Sequence, residues 1–207
     1  MNAAIPPAPP SGSARFFALL YAPAGLRDAL SRLLAVADEI GAEATRTLEP
    51  AVAQARLAWW QLEAERYAAG KPQHPWLKSP QSGAVRSPPI ELAALIEAEA
   101  ADPSGLQLRR ALFIAAAELL GAGPLTALQR QALGELGAQS WQPPHPASPA
   151  KAPPALHGVQ ARIAPLLVWA ALAARAAGKD SPLRGFADNM RAWHIARRAT
   201  AGRYIPP

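Results

Sequence analysis

The chain of 207 residues contains no cysteine. Disulfide bridges, thiolate zinc sites and cysteine nucleophiles are thereby excluded, and a reducing compartment suits the composition. Charge is sparse as well: 17% of the residues are charged, against about a quarter in an average soluble domain. Long hydrophobic runs are missing. The longest nearly pure apolar stretch is Ile163 to Ala174, flanked by Arg162 and Arg175, and it falls short of the roughly 20 residues needed to cross a bilayer. Met1 to Ser13 is rich in proline, alanine and serine and lacks the basic-then-apolar layout of a signal peptide, so a cytoplasmic protein is expected. Aspartate is absent between Pro103 and Lys179, where Glu118 and Glu135 are the only acids. No Gly-rich phosphate loop and no nucleophile elbow occur. His74, His145, His157 and His194 do not have the spacing of metal ligands, so no metal site and no catalytic residue is assigned.

What is present is alanine in quantity, within a chain that is 50% hydrophobic. Alanine favours helix and permits close helix packing, which predicts an all-α fold. The periodicity agrees. A short helix is expected near Ala14 to Tyr21, after a disordered tail over residues 1–13. A second runs from about Ala24 to Ala44, because Leu26, Leu30, Leu33, Ala37 and Ile40 recur at spacings of three and four. Glu49-Pro50 opens a third, which Gly70 and Pro72 end near Ala69. On it Trp59, Leu62 and Arg66 share one face, and Arg56, Trp60, Glu63 and Tyr67 the adjoining one. Further helices are expected over Ile90 to Ala100, Leu106 to Leu120 and from Pro124 to about Gly137. Another should carry Val159, Ile163, Leu166, Leu167 and Ala170 on one face, kinked at Pro165. The last spans about Pro182 to Ala201. Proline-rich loops fall near residues 72–89 and 142–154, and residues 14–207 read as a single helical domain.

The net charge of +6 is unevenly placed. Between Arg175 and Pro207 there are seven basic residues and two acidic ones, which leaves +1 for all that precedes them. In the last helix Leu183, Phe186, Met190 and Trp193 form an apolar stripe. Arg184, Arg191 and Arg198, with His194, form a basic one that could bind anions. The alternative for these four is a solvated basic face.

One run stands out: Arg56-Leu57-Ala58-Trp59-Trp60, preceded by Glu49-Pro50 and followed by Gly70-Lys71-Pro72-Gln73-His74-Pro75. It comes after Ala37-Asp38-Glu39-Ile40. This order resembles the front of the squalene/phytoene synthase family, in which a helix ending in Asp-Asp-x-x-Asp precedes one carrying Arg-Leu-x-Trp-Trp. The resemblance covers about Ala14 to Ser79. It implies an isoprenoid-synthase-type helical bundle, shortened here because the middle of the chain is short for the catalytic members. Active members bind a diphosphate through Mg²⁺ held by two acidic motifs, as hard divalent cations require several carboxylate oxygens. Here the first motif reads Asp38-Glu39-Ile40-Gly41-Ala42, with an alanine at the third acidic position, and the second motif is missing. Gly202-Arg203-Tyr204-Ile205-Pro206 echoes a further family signature, but no acidic motif precedes it.

The pattern is most similar to the degenerate branch of the family, which includes assembly factors for the respiratory NADH:quinone oxidoreductase. It implies a non-catalytic binding or assembly scaffold without a cofactor. Asp38 and Glu39 would be a vestigial acidic motif, with Arg56, Trp59, Trp60 and Tyr67 as family-signature or pocket residues. For Asp38 and Glu39 a solvated helix face is the alternative, and for the tryptophans simple core packing. The reading leans against an enzyme. If the chain is active, the resemblance implies a Mg²⁺-dependent prenyltransferase acting on isoprenoid diphosphates. A third reading is a basic module peripheral at an anionic membrane surface, which the neighbouring Trp193, Phe186 and Met190 favour over nucleic-acid binding. The partner is otherwise expected to be a protein.

Overall fold

A computed structural model of the chain describes residues 6–42, 49–78, 90–102, 104–140, 153–173 and 184–202; of 184–186 only the backbone is described. Among these residues the structure is all-α: eight α-helices, one 3-10 turn and no strand. In chain order they are α1 (Ala14–Tyr21), α2 (Ala24–Ile40), α3 (Pro50–Ala68), α4 (Leu92–Ala101), α5 (Leu106–Leu119), α6 (Ala127–Gln139), the 3-10 turn Pro154–Leu156, α7 (Ala164–Ala173) and α8 (Arg184–Thr200).

Local chemistry sets most of the helix ends. The Ser13 hydroxyl accepts from the Phe16 amide at 3.1 Å and starts α1, which supplies one of the orphan donors of a first turn with an acceptor. α3 opens on Pro50, whose missing amide proton is not needed there. It ends at Gly70, where φ is +73°. The Gly70 amide donates to the Tyr67 carbonyl and the Lys71 amide to the Arg66 carbonyl, the paired bonds of a Schellman stop. This stop turns the chain back toward the side of α3 that carries Trp60. α2 ends at Gly41, where any Cβ would collide with the Leu108 side chain of α5.

α7 forms the centre. Ala164, Pro165, Leu166, Leu167, Val168, Trp169 and Ala170 are consecutive and all buried, as expected of a helix that is apolar all round. It packs on α1 and α8, while α5 packs on α6, α4 and α2. The α5–α6 contact is the most extensive among the described elements, and it is close because Gly137 of α6 faces the backbone of Arg109 and the ring of Phe113. Phe113 in turn meets Trp169 with ring centroids 4.9 Å apart. On α2 the expected stripe is inward: Leu30, Leu33, Ala37 and Ile40 are buried.

Several expectations are corrected. Of residues 1–13, assigned to a disordered tail, 1–5 lie outside the described residues; beyond them Pro6 is buried and Pro7 to Pro10 border a cleft over α2. Proline restricts the backbone, so a proline run gives up little entropy when it packs. Helix α6 does not begin at Pro124. It begins after Thr126, whose hydroxyl accepts from the Gln129 amide while the Gln129 side chain accepts from the Thr126 amide, a capping box that outweighs the proline as a start signal. Pro165 does not kink its helix, because α7 starts at Ala164 and the proline sits in the first turn, where no amide donor is required. The apolar stripe expected on the last helix is also displaced: Met190 and Trp193 face solvent, and Ala192, Ile195, Ala196 and Ala199 face the core. Leu183 lies outside the described residues. No helix among those described is long and apolar enough to cross a membrane.

Candidate functional site

The acidic pair, the tandem tryptophans and the segment after α3 meet in one place. α2 delivers Asp38 and Glu39 at its C-terminal end, and α3 delivers Arg56, Trp59, Trp60 and Glu63. Residues 70–78 fold back along α3 and are pinned there by Glu63. Its carboxylate is wholly buried. Oε1 accepts from the Gln73 amide at 2.6 Å and from the His74 amide at 2.7 Å, short bonds of the kind a carboxylate makes to backbone donors. Among the described residues Oε2 has no hydrogen-bond partner; the Arg66 guanidinium stands 3.5 Å away, an ion-pair distance too long for a good hydrogen bond.

Pinning the backbone of residue 74 places its imidazole among the tryptophans. The His74 ring lies 5.1 Å from that of Trp60, 6.2 Å from that of Trp59 and 5.2 Å from that of Trp76. Trp59 and Trp60 meet edge to face at 5.0 Å, an arrangement the ring quadrupoles favour. His74 Nδ1 accepts from the Trp76 amide at 3.3 Å, which assigns the ring proton to Nε2. That nitrogen lies 3.0 Å from Glu39 Oε2, so both ring nitrogens have a hydrogen-bond partner. Arg56 adds a second tie to α2 by donating to the Glu39 backbone carbonyl.

Asp38 points elsewhere. Its carboxylate pairs with Arg15 of α1, whose guanidinium sits 5.2 Å from the Trp169 ring centroid. The two neighbouring acids therefore stitch α2 to different parts of the molecule, Asp38 to α1 and Glu39 to the 70–78 segment. Between them opens a cleft of about 340 Å³, bordered by Arg15, Ser31, Leu34, Asp38, Glu39, Trp76 and the proline run Pro7 to Pro10. An apolar floor with a few converging polar groups is the usual make-up of a small-molecule site.

The structure thus assembles Glu39, Arg56, Trp59 and Trp60, turns Asp38 to Arg15 and leaves Tyr67 apart: its hydroxyl accepts from the Ile90 amide at 3.3 Å and anchors the start of α4. The α8 set stands on a helix packed against α7. Arg191 is half-buried, His194 and Arg198 are exposed, and the Arg184 side chain lies outside the described residues. Sequence reasoning passed over Glu63, His74 and Trp76. Only Glu63 had a readable signal, because it shares a helix face with Trp60, and an acid on an inward face requires donors. Among the described residues no group of three or more histidines and acids is arranged to hold a metal ion.

The described parts thus form an all-α protein with a histidine–tryptophan–carboxylate cluster beside a small cleft. Comparison with models of known protein families, with curated proteins and with solved structures gives no match.

Proposed function

We propose that the chain is a non-catalytic binding or assembly scaffold, built on a shortened isoprenoid-synthase-type bundle and derived from the squalene/phytoene synthase family. The observation that supports this reading is the fate of its acidic pair. In a diphosphate-binding member two carboxylates must converge on Mg²⁺. Here Asp38 pairs with Arg15 and Glu39 with His74, so each carboxylate has a separate partner within the protein. Both acids act as cross-links between segments, and Ala42 follows where a third acid would stand. Together with the missing second motif, these partners argue against Asp38 and Glu39 as Mg²⁺ ligands. The tandem tryptophans then serve as packing: Trp60 is 1% exposed and wedged against His74, while Trp59 is 40% exposed. The cleft beside the pair and the protein surface around it are what such a scaffold offers to a protein partner.

The test is incubation of the purified protein with Mg²⁺ and farnesyl or geranylgeranyl diphosphate, with diphosphate release as the readout. Release is expected at the level of a D38A/E39A variant. Turnover clearly above that variant would sink the scaffold reading and restore a prenyltransferase.

A further inference from the structure

Helix α8 divides its residues in a way that the periodicity alone did not reveal. Ala192, Ile195, Ala196 and Ala199 are buried, and small side chains there let the helix lie close on α7. The outer face carries Met190, Trp193, His194 and Arg197, at steps of three and four residues, with Arg198 beside them. Met190 is 49% and Trp193 44% exposed. The Arg197 guanidinium stacks over the Trp193 ring at 5.2 Å from its centroid, so a cation and a large amphipathic ring share one patch. Arg197 and Arg198 form the last turn of the helix. Their charge there also suits the negative end of the helix dipole.

We infer that this outer face of α8 is a docking surface for an anionic lipid bilayer. Three features select that occupant. Exposing a tryptophan and a methionine side by side costs free energy in water that their burial elsewhere would recover. Indole is the side chain best suited to the headgroup region, being apolar in body and polar at one edge. The charged groups on this outer face, Arg197 and Arg198, are both basic, Asp188 being half-buried, and this end of the chain holds almost all of the net +6; basic residues on the rim of an apolar face are the layout of an interfacial helix. The helix need not cross the bilayer. It lies in the interface with its inner face still packed on α7. This inference stands apart from the scaffold reading and does not depend on Asp38 or Glu39.

The test is flotation of the full chain with phosphatidylcholine vesicles and with vesicles of phosphatidylcholine mixed with phosphatidylglycerol. Binding is expected with the mixed vesicles and to weaken in high salt, with little on phosphatidylcholine alone. The variant R197Q/R198Q should lose affinity about 25-fold, each basic residue near an anionic surface being worth about fivefold. Trp193→Ser should lose about tenfold through lost apolar contact. Both changes are at exposed positions, and far-ultraviolet circular dichroism checks that each variant keeps its helix content. A control that removes equal charge from other elements, K71Q/R130Q, should bind within about threefold of the parent at about 0.15 M salt, where screening acts over about 8 Å. The inference is overturned if the chain fails to float with mixed vesicles at low salt, or if the control loses as much as R197Q/R198Q. It is also overturned if Trp193→Ser binds as the parent does, or if the chain is retained on duplex DNA while vesicles leave it behind.

Discussion

The two ends of the bundle are held together by different means. Around α2, α3 and the 70–78 segment the ties are side chains of mixed character: the buried Glu63 carboxylate, the His74 imidazole between Glu39 and the tryptophans, and Arg56 reaching the Glu39 carbonyl. Around α5, α6 and α7 the buried ties are mainly close apolar contacts, with Gly137 against Phe113 and Phe113 against Trp169, while the Arg130–Glu118 ion pair and the bond from Arg162 to the Gly121 carbonyl lie nearer the surface. The first kind is directional and fails when one partner is lost, because a buried polar group left alone keeps its desolvation cost. The second is additive and sensitive to volume. Position in the chain decides which is used. α3 is a peripheral helix whose outer side meets water, so its one inward face must grip a loop that has backbone donors to satisfy.

That contrast predicts an order of effects. Glu63→Ala should be the most damaging change, by about 3 kcal/mol, since it orphans the Gln73 and His74 amides together. Glu63→Gln should cost clearly less, because an amide oxygen still accepts both. Urea unfolding measures each, and equal losses in the two variants would mean that the carboxylate acts only by filling space. In the apolar region Gly137→Ala should cost about 1–2 kcal/mol, with overpacking against Arg109 and Phe113 partly offset by better helix propensity. An increase in stability there would show that α5 and α6 separate easily, and would blur the distinction between the two regions.

The smallest effect is expected at Asp102, which joins α4 to α5. A hydrogen bond from the Ser104 hydroxyl, then ones from backbone amides at residues 104, 106 and 107, hold its carboxyl below the usual aspartate range. A folded value below the unfolded one means that the unfolded chain binds more protons in that window, so stability rises with pH there. The increment should be fully present above the ordinary aspartate value and lost as pH falls through the lower, folded one. Asp102→Asn should remove this increment, read as a flatter stability profile under acid. An unchanged profile would place the acid sensitivity in other carboxylates.

Much of the architecture could be read before any coordinates. α1 has the expected bounds, and α2, α3 and α5 start where expected and end within a few residues, because Pro23, Pro50 and Gly70 act locally. The alternation of faces on α3 was legible too, with Trp59 and Trp60 on adjoining sides. Which side is inward was not, since both carry a tryptophan and the helix has little net asymmetry. Pro124 and Pro165 misled for one reason: proline permits a helix start over several positions, and the neighbouring cap or packing selects among them. In the candidate site the acids and tryptophans were visible as a run of sequence. His74 was not, because its role rests on a backbone bond to Glu63 eleven residues earlier and a side-chain bond to Glu39 of another helix.

The amino-acid sequence by itself determined the helical class, most of the helix starts and stops, the absence of thiol chemistry and the basic character of the final segment. These are properties of composition, of three- and four-residue periodicity and of single residues acting on their own backbone. Only the tertiary structure decided that Asp38 and Glu39 take different partners, that Glu63 is buried, and that Trp60 and Trp193 have opposite surroundings. Each of those depends on which other segment lies across from the residue, and no local pattern in the chain encodes that.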